Sequence, residues 1–226
     1  MFKCVICKSE LIEYSGIATC TFCGAKEEAD YICPNGHYQC EDCRLATQSE
    51  IIERVCLNTK SKNPVDIVNL IMKHASFNAY GAEHHELAAP AILSALKNLG
   101  YVNLTAARIK GAMKRGSNIP YGSCGSTGAC GASISAGIAI SMFTKSNYLK
   151  DRERSLTIKT VSKALMKLTD LGGPRCCKFS TYAGIESAWN VLINDLGLNL
   201  EPLNIVCDFQ DELPDCKKEK CPYYKK

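Results

Sequence analysis

Fifteen of the 226 residues are cysteines, and they form three blocks with Cys56 alone between the first two. Soft thiolates at short, repeated spacings suit zinc and iron–sulfur clusters, and each ion or cluster needs about four ligands. The first block also contains a histidine. This block supplies eight candidate ligands: Cys4, Cys7, Cys20, Cys23, Cys33, His37, Cys40 and Cys43. The chemistry that this sequence predicts first is therefore metal binding.

The first block repeats one spacing, in which two cysteines are separated by two residues. A CxxC on a tight turn lets both sulfur atoms reach one ion at about 2.3 Å. Eight ligands are enough for two closed tetrahedral sites, so we expect about two Zn²⁺ within residues 1–45. Little apolar sequence lies between the ligand pairs, so metal binding should supply most of this module's folding free energy.

The eight ligands can be divided in two ways. In the sequential arrangement, slightly preferred here, the first two CxxC pairs form one site and the ligands from Cys33 to Cys43 form the other. The stretch CTFCGAKEEADYICPNGHYQCEDC, however, resembles the first six ligands of a cross-brace RING-like finger. That resemblance implies an interleaved arrangement, in which the second CxxC joins the last one and the first CxxC meets Cys33 and His37. The final CxxC of a RING finger is missing, so the resemblance does not extend to ubiquitin-ligase function.

The second block lies in glycine-rich sequence at two predicted helix starts and consists of Cys124, Cys130, Cys176 and Cys177. The loop 119–131 reads IPYGSCGSTGACG, and its backbone N–H groups can stabilise thiolates or cluster sulfides. The segment GGPRCCK places Arg175 beside two adjacent cysteines, where its charge should lower their pKa values. Four cysteines in two such loops predict a cofactor-binding site rather than buried free thiols.

The segment YGAEHHELAAP places two histidines and a glutamate at another predicted helix start. It lacks the HExxH spacing of zinc proteases. Neighbouring residues on a helix point about 100° apart, so one histidine can serve a site while the other faces elsewhere. We name His85 and Glu86, together with Arg175, as candidate catalytic residues. The alternative is that the HHE residues are ordinary polar residues that cap a helix.

The third block follows the last predicted helix and consists of Cys207, Cys216 and Cys221. The surrounding sequence is too polar to pack by itself, so an ordered tail needs a metal or a firm contact with the rest of the protein. We expect the tail to fold back and bind metal with a fourth ligand. Cys56 is the preferred fourth ligand, and Cys176 or Cys177 is the alternative. A disordered tail with incidental cysteines is the other possibility.

Helical periodicity predicts the elements that position these residues. Asn63-Pro64 is an N-cap followed by proline at the first helical position, and apolar residues then recur at helical spacing. Further helices are predicted over 83–98, 104–115, 129–144, 152–171 and 181–196. The fold class is therefore a small zinc-ribbon or treble-clef-like module, an all-α helical bundle and a cysteine-containing tail. Their predicted ranges are 1–45, 54–198 and 199–226.

Composition limits the classes of function. The net charge of +4 is too mild, and the basic residues are too scattered, to support nucleic-acid binding. No apolar run reaches the roughly 18 residues that a membrane span requires. The start, MFKCVICKSE, shows no apolar signal-peptide segment, and an odd number of cysteines cannot all form disulfides. We therefore expect a cytoplasmic protein.

Three stretches resemble a known family: GAEHHELAAPAILSALKNLGY, KRGSNIPYGSCGSTGACGASISAGIAIS and GGPRCCKFSTYAGIESA. They are similar to signature blocks of an uncharacterised family of cysteine-rich prokaryotic proteins, over most of residues 54–224. Some members are labelled methyltransferases, but no glycine-rich loop follows a strand here to bind S-adenosylmethionine. More distantly, CGASISAGIAIS resembles the C-GCAxxG-C-C redox family, which implies a helical domain with an iron–sulfur cluster. That family has a cysteine where this sequence offers His85 and Glu86.

Three hypotheses of function remain open. In the preferred one, Cys124, Cys130 and Cys177, with Cys176 or His85, hold an iron–sulfur cluster that serves a small-molecule substrate or a redox partner protein. An incomplete ligand set would leave one iron open and make an oxidoreductase or sulfur-transfer enzyme. The second hypothesis is a zinc-dependent protein-interaction module without catalysis. The third is a dithiol/disulfide redox protein that uses Cys124 and Cys130, or Cys176 and Cys177. The first pair is preferred, because a disulfide between adjacent cysteines would strain the intervening peptide.

Overall fold

The computed structural model describes residues 2–101, 103–173, 175–210 and 213–225, so Pro174 of the GGPRCCK segment lies outside the described residues. Two strands form one antiparallel hairpin, β1 (Ile12–Thr19) and β2 (Lys26–Ile32). The described residues also form nine α-helices: α1 (Glu41–Arg44), α2 (Gln48–Asn58), α3 (Pro64–Met72), α4 (Ala88–Asn98), α5 (Ala106–Ser117), α6 (Ser123–Ser126), α7 (Gly131–Thr144), α8 (Asp151–Leu171) and α9 (Cys177–Asn194). Short 3₁₀ helices cover Ala82–His85 and Lys218–Lys220.

The hairpin has almost no core of its own. Its register runs from the pair Thr19 and Lys26 at the turn to the pair Ile12 and Ile32 at the open end. Most of its side chains are exposed, and Ala18 and Ala29 are the buried residues of the two strands. A two-stranded hairpin is at best marginally stable in water. Its folding therefore depends on the metal ligands at its two ends.

The helical body agrees with the predicted helices to within a few residues, with two differences. Helix α2 was not predicted, although Thr47 and Glu50 form a capping box, in which each side chain bonds the other residue's backbone N–H. The helix predicted over 83–98 is divided into the first 3₁₀ helix and α4. Pro90 explains this break, because its ring would clash with the Glu86 carbonyl in a continuous helix and fits only in a first turn.

Helix α7 lies at the centre of the body and contacts α4, α5, α8 and α9. Its sequence, GASISAGIAISMFT, is rich in small residues, which allows its neighbours to approach closely. At the crossing with α9, a Cβ on Gly184 would lie 3.0 Å from the Ala132 carbonyl oxygen and 3.2 Å from Ala136 Cβ. Glycine at 184 therefore permits the close packing that brings the beginnings of α7 and α9 to one cavity.

The hairpin module and the tail both pack against the helical body. His74 Nε2, after α3, lies 2.7 Å from the Cys43 carbonyl oxygen, and its ring packs edge-on against buried Phe22. In the tail, the Cys207 N–H donates to the Tyr223 carbonyl at 2.7 Å, and Tyr223 packs on Phe179 of α9. The tail therefore folds back onto the body. No helix in the described part of the chain is long and apolar enough to cross a membrane.

Candidate metal centres and a cysteine-lined cavity

Eight ligands near the amino terminus form two groups in which all ligand atoms lie within 4.8 Å of one another. Site one joins the first CxxC to Cys33 and His37, and site two joins the second CxxC to Cys40 and Cys43. The sequential arrangement that the sequence favoured is therefore wrong, and the interleaved one is correct. The reason is the hairpin: β2 runs back along β1, so Cys33 returns to the beginning of the chain, where His37 Nδ1 lies 3.7 Å from Cys4 Sγ.

Site one is surrounded by hydrogen-bond donors that favour thiolates. The Sγ atoms of Cys7 and Cys33 lie 3.3 Å apart. Asn35 donates its backbone N–H to Cys33 Sγ and its side-chain amide to Cys7 Sγ, both at 3.4 Å. Hydrogen bonds from Ser9 and then Asn35 lower the pKa of Cys7 to about 5. Since metals bind thiolates, these bonds prepare the site for a cation.

Site two lies deeper, at the junction with the helical body. Cys23 Sγ lies 3.6 Å from Cys40 Sγ, and Cys43 is completely buried. Burial raises the pKa of Cys40 to about 11 and also raises that of Cys43. Burial acts in the same direction on Cys20, but backbone hydrogen bonds from Cys40, Cys23 and Phe22 outweigh it, so the pKa of Cys20 is lowered. The thiols of Cys40 and Cys43 therefore ionise readily only when a metal displaces their protons.

A cavity of about 310 Å³ lies where the beginnings of α7 and α9 meet the first 3₁₀ helix. We call it the thiol cavity. Its chemically active lining residues are His84, His85, Tyr121, Cys124, Cys130, Arg175, Cys176 and Cys177. The structure thus brings together all four cysteines of the second block, the predicted His85 with its neighbour His84, and the predicted Arg175. All fifteen cysteines of the chain are free thiols.

Helix beginnings position the cavity's thiols. Cys130 is the N-cap of α7 and is buried, Cys177 is the first residue of α9, and Cys124 lies exposed in α6. Burial raises the pKa of Cys177, while a backbone hydrogen bond from Gly81 and the charge of Arg175 act in the opposite direction. The positive end of a helix also favours a thiolate. These thiols are therefore arranged to carry negative charge once a cation is present.

The two adjacent histidines differ in a way that the sequence could not show. His85 is held in place: its Nδ1 lies 3.1 Å from the Ile119 carbonyl, and a Cβ on Gly131 would lie 2.2 Å from its ring. His84 is fully buried, with Nδ1 3.3 Å from the Gly81 carbonyl and Nε2 without a hydrogen-bond partner among the described residues. A neutral imidazole that donates through Nδ1 carries its lone pair on Nε2.

Burial is the main reason why the pKa of His84 falls to about 3, and the charge of Lys178 adds to the effect. His84 is therefore neutral at physiological pH, which is the form that binds metals. A buried polar atom without a partner requires an explanation, and a bound metal supplies one. His84, which was not among the predicted site residues, therefore joins His85 as a candidate nitrogen ligand of the cavity.

Arg175 lies beside the thiol cavity between two tyrosine rings. Its guanidinium carbon is 5.3 Å from the ring centroids of both Tyr80 and Tyr121, and it donates to the Tyr121 hydroxyl at 2.9 Å. Cation–π contacts and this hydrogen bond hold the guanidinium near Cys177. The charge of Arg175 acts in the predicted direction at Cys177, but burial outweighs it, and the pKa of both Cys176 and Cys177 is raised.

Two predicted site residues lie elsewhere. Glu86 is not among the residues that line the thiol cavity, and it accepts a hydrogen bond from Ser49 of α2 at 2.9 Å. Cys56 lies in α2, completely buried in the core, and burial raises its pKa to about 12. The preferred assignment of Cys56 as the tail's fourth ligand is corrected, since α2 buries this thiol in the core and it does not line the cavity that the tail cysteines share. Cys176, the alternative, lies with the tail cysteines around a smaller cavity.

The described residues define a class, namely cysteine-rich and mostly helical proteins with groups of ligands that could hold two metal ions. The chain belongs to the family of unknown function DUF5714, whose model matches residues 52–224. The match begins in α2, so it includes the thiol cavity and the tail but not the two amino-terminal metal sites. No curated protein and no solved structure matches the chain.

Proposed function

We propose that this protein is a cytoplasmic metalloprotein with two zinc ions in its amino-terminal module and an iron–sulfur cluster in the thiol cavity. The cluster gives it a redox or sulfur-handling role. One observation carries the proposal: four thiols line one cavity of about 310 Å³ together with His84, whose buried Nε2 has no hydrogen-bond partner among the described residues. The module is structural and the cavity is functional.

Zinc is the ion that suits sites one and two. Each has four ligands of the Cys₃His or Cys₄ type, and most of the ligands are buried. Four protein ligands complete the tetrahedral coordination that Zn²⁺ prefers, which leaves no open position for a substrate. The hairpin has almost no core of its own, so these ions would hold the module together.

The donor set of the thiol cavity suits an iron–sulfur cluster. Cys124, Cys130 and Cys177 would hold it together with His84, a combination of thiolate and imidazole ligands that such clusters use. When bound, the cluster supplies one-electron transfer or an open iron that accepts a substrate. The protein's own contribution is the pair of helix beginnings, which place positive potential beside a negatively charged cluster.

The resemblance to the C-GCAxxG-C-C redox family gives independent support. In that family a cysteine begins the early helix, where this sequence offers His85 and Glu86, and His84 directly precedes them in the 3₁₀ helix before α4. Exposure of Cys124 leaves one side of the cavity accessible. An accessible cluster can exchange electrons with a redox partner protein or bind a small-molecule substrate.

A dithiol/disulfide protein is the second candidate, favoured by one observation. Cys124 is exposed and lies with Cys130 on the same cavity, within reach of an oxidant. In this reaction the two thiols lose two protons and two electrons to an acceptor and form one disulfide bond. Mass mapping of thiols before and after mild oxidation tests this candidate, and full alkylation of both cysteines under both conditions excludes it.

A zinc-dependent interaction module is the third candidate. The hairpin region exposes large apolar side chains, among them Phe2, Ile12, Ile17 and Tyr31. Exposed apolar residues grouped on one module are typical of docking surfaces. This candidate predicts a colourless protein that carries zinc alone.

Anaerobic reconstitution with iron and sulfide tests the proposal on the full-length protein. We expect visible absorbance at about 400 nm and bound iron in the unmodified protein. Cys130→Ser and Cys177→Ser should lose both signals and keep their zinc. The matched control is Cys56→Ala, which removes a buried thiol outside the cavity and should keep the cluster. Equal iron content in all four proteins would show that the thiols bind iron non-specifically.

A further inference from the structure

We propose that Cys176 and the three tail cysteines form a third metal centre, which binds one zinc ion and fastens the tail to the beginning of α9. The four thiols line a cavity of about 30 Å³, here called the tail cavity: Cys176, Cys207, Cys216 and Cys221. The inference goes beyond the proposed function, because it holds whatever the thiol cavity binds.

The size of the tail cavity determines what it can hold. Its volume of about 30 Å³ is an order of magnitude smaller than the thiol cavity's 310 Å³. A space of this size accommodates about one water molecule, so it suits a single ion rather than a multinuclear cluster. Four thiolates are a ligand set of structural zinc. Unlike the ligand atoms of sites one and two, the four sulfur atoms do not all lie within 4.8 Å of one another, so the tail would close around the ion as it binds.

Two of the four thiols lie in local turns of the same kind as the turn at Cys33, a ligand of site one. The N–H of Phe209 donates to Cys207 Sγ at 3.4 Å, two residues further along the chain. Asn35 donates to Cys33 Sγ in the same way and at the same distance. At Cys221, a backbone hydrogen bond from Tyr223 acts on the thiol across the same spacing. This turn directs N–H groups at sulfur and thereby stabilises a metal-bound thiolate.

Helix α9 supplies the fourth ligand in a prepared position. Cys176 is the N-cap of α9, and its Sγ accepts the Phe179 N–H at 3.4 Å. The tail is brought to it by the bond between the Cys207 N–H and the Tyr223 carbonyl, and by packing of the Tyr223 ring on Phe179. Tyr80 donates to Asp215 at 3.2 Å, which fixes the chain next to Cys216. Both ends of the tail are thus anchored around the four thiols.

The charge around the tail cavity suits a four-thiolate zinc centre, which has a net charge of −2. Lys178 lines the cavity and is 4 % exposed, and its Nζ lies 4.7 Å from the centre of the Phe209 ring. Burial raises the pKa of Cys176, whereas the charge of Lys178 and the N–H of Phe179 lower it. A buried ammonium beside the centre would offset part of its negative charge.

Metal counting on the full-length protein tests the inference. We expect about three zinc ions in the unmodified protein and about two in Cys216→Ser, because a closed site that loses a ligand binds zinc weakly. Cys124→Ser is the matched control: it removes a thiol from the thiol cavity and should keep all three. If the cluster proposal fails, iron disappears from these measurements but the zinc counts stay as predicted, so the two proposals fail separately.

Alkylation of the native, unmodified protein gives a second measurement that does not require a variant to fold. Cys207, Cys216 and Cys221 should resist iodoacetamide while zinc is bound and react at least about tenfold faster after a chelator removes it. About two zinc ions in the unmodified protein, or tail thiols that react equally fast with and without chelator, would overturn the inference. Loss of iron instead of zinc in Cys216→Ser would also overturn it.

Discussion

Cys176 and Cys177 are adjacent in the chain, yet Cys176 lies between the two cavities and lines both, while Cys177 lines the larger thiol cavity. Adjacent residues at a helix beginning point in different directions, so one dipeptide can serve two centres. An ion held by Cys176 would fix the position of Cys177. The tail could therefore hold the functional cavity in shape without contributing a ligand to it.

The first prediction compares one ligand from each amino-terminal site. Cys40→Ser and Cys33→Ser should each lose about one zinc ion, but Cys40→Ser should destabilise the helical body more. The reason is the bond between His74 Nε2 and the Cys43 carbonyl, whose loss leaves buried polar groups unpaired at a cost of about 1–3 kcal/mol. Thermal unfolding followed at the helical circular-dichroism band measures the difference. Equal unfolding temperatures for the two variants would contradict this role of site two.

The second prediction separates the two histidines. His84→Gln should lose most of the cluster's visible absorbance, whereas His84→Cys should restore it with a reduction potential lower by on the order of 100 mV. A thiolate in place of a neutral imidazole adds negative charge, which favours the oxidised cluster. His85→Gln is the comparison variant and should keep the potential of the unmodified protein. If His85→Gln shifts the potential and His84→Cys does not, the ligand assignment is wrong.

The third prediction concerns the charge beside Cys177. In metal-free protein, Arg175→Gln should slow alkylation of Cys177 by roughly two- to fivefold, because the charge of Arg175 opposes the increase in pKa that burial causes. Arg175→Lys keeps the charge and should react at nearly the original rate. Peptide mass spectrometry at a fixed pH measures both rates. A slow rate in both variants would indicate that shape rather than charge controls the thiol.

The fourth prediction treats Glu86 as a structural residue. Burial raises its pKa above the ordinary value of 4.5, so its ionised form is disfavoured in the folded state. Its stabilising contribution is then complete below about pH 4.5 and is lost as the pH rises through the folded-state pKa. Glu86→Gln keeps an acceptor for Ser49 and removes this loss. Its unfolding temperature relative to the unmodified protein should therefore increase by a few degrees between pH 4.5 and pH 7. An unchanged difference, or loss of the cluster in this variant, would contradict a purely structural role.

The sequence predicts the helical body well because the residues that begin and end each helix are local signals. Asn63 caps α3 as expected, with its side chain accepting the Val65 N–H at 2.9 Å, and Gly100 follows the end of α4. The eight amino-terminal ligands were also identified by type and spacing. Their division was wrong because it depends on how β1 and β2 pair, and the CxxC spacing carries no information about that pairing.

Tertiary packing also explains where the predicted roles of the histidines and of Cys56 differ from the structure. Nothing in the dipeptide His84-His85 reveals that His84 Nε2 is fully buried without a hydrogen-bond partner among the described residues, while His85 Nδ1 faces the Ile119 carbonyl far along the chain. Cys56 was chosen as a ligand because it stood outside the other blocks, but it lies on the buried face of α2. The helical pattern of α2, once its capping box is recognised, would have placed that thiol in the core.

Purification of the full-length protein without oxygen, with iron, acid-labile sulfide and zinc measured in one sample, distinguishes a cluster-binding protein from a zinc protein. We expect a coloured protein with absorbance at about 400 nm, iron and sulfide in similar amounts, and zinc in addition. A colourless protein that contains zinc but neither iron nor sulfide, and that stays so after anaerobic reconstitution, would contradict this expectation.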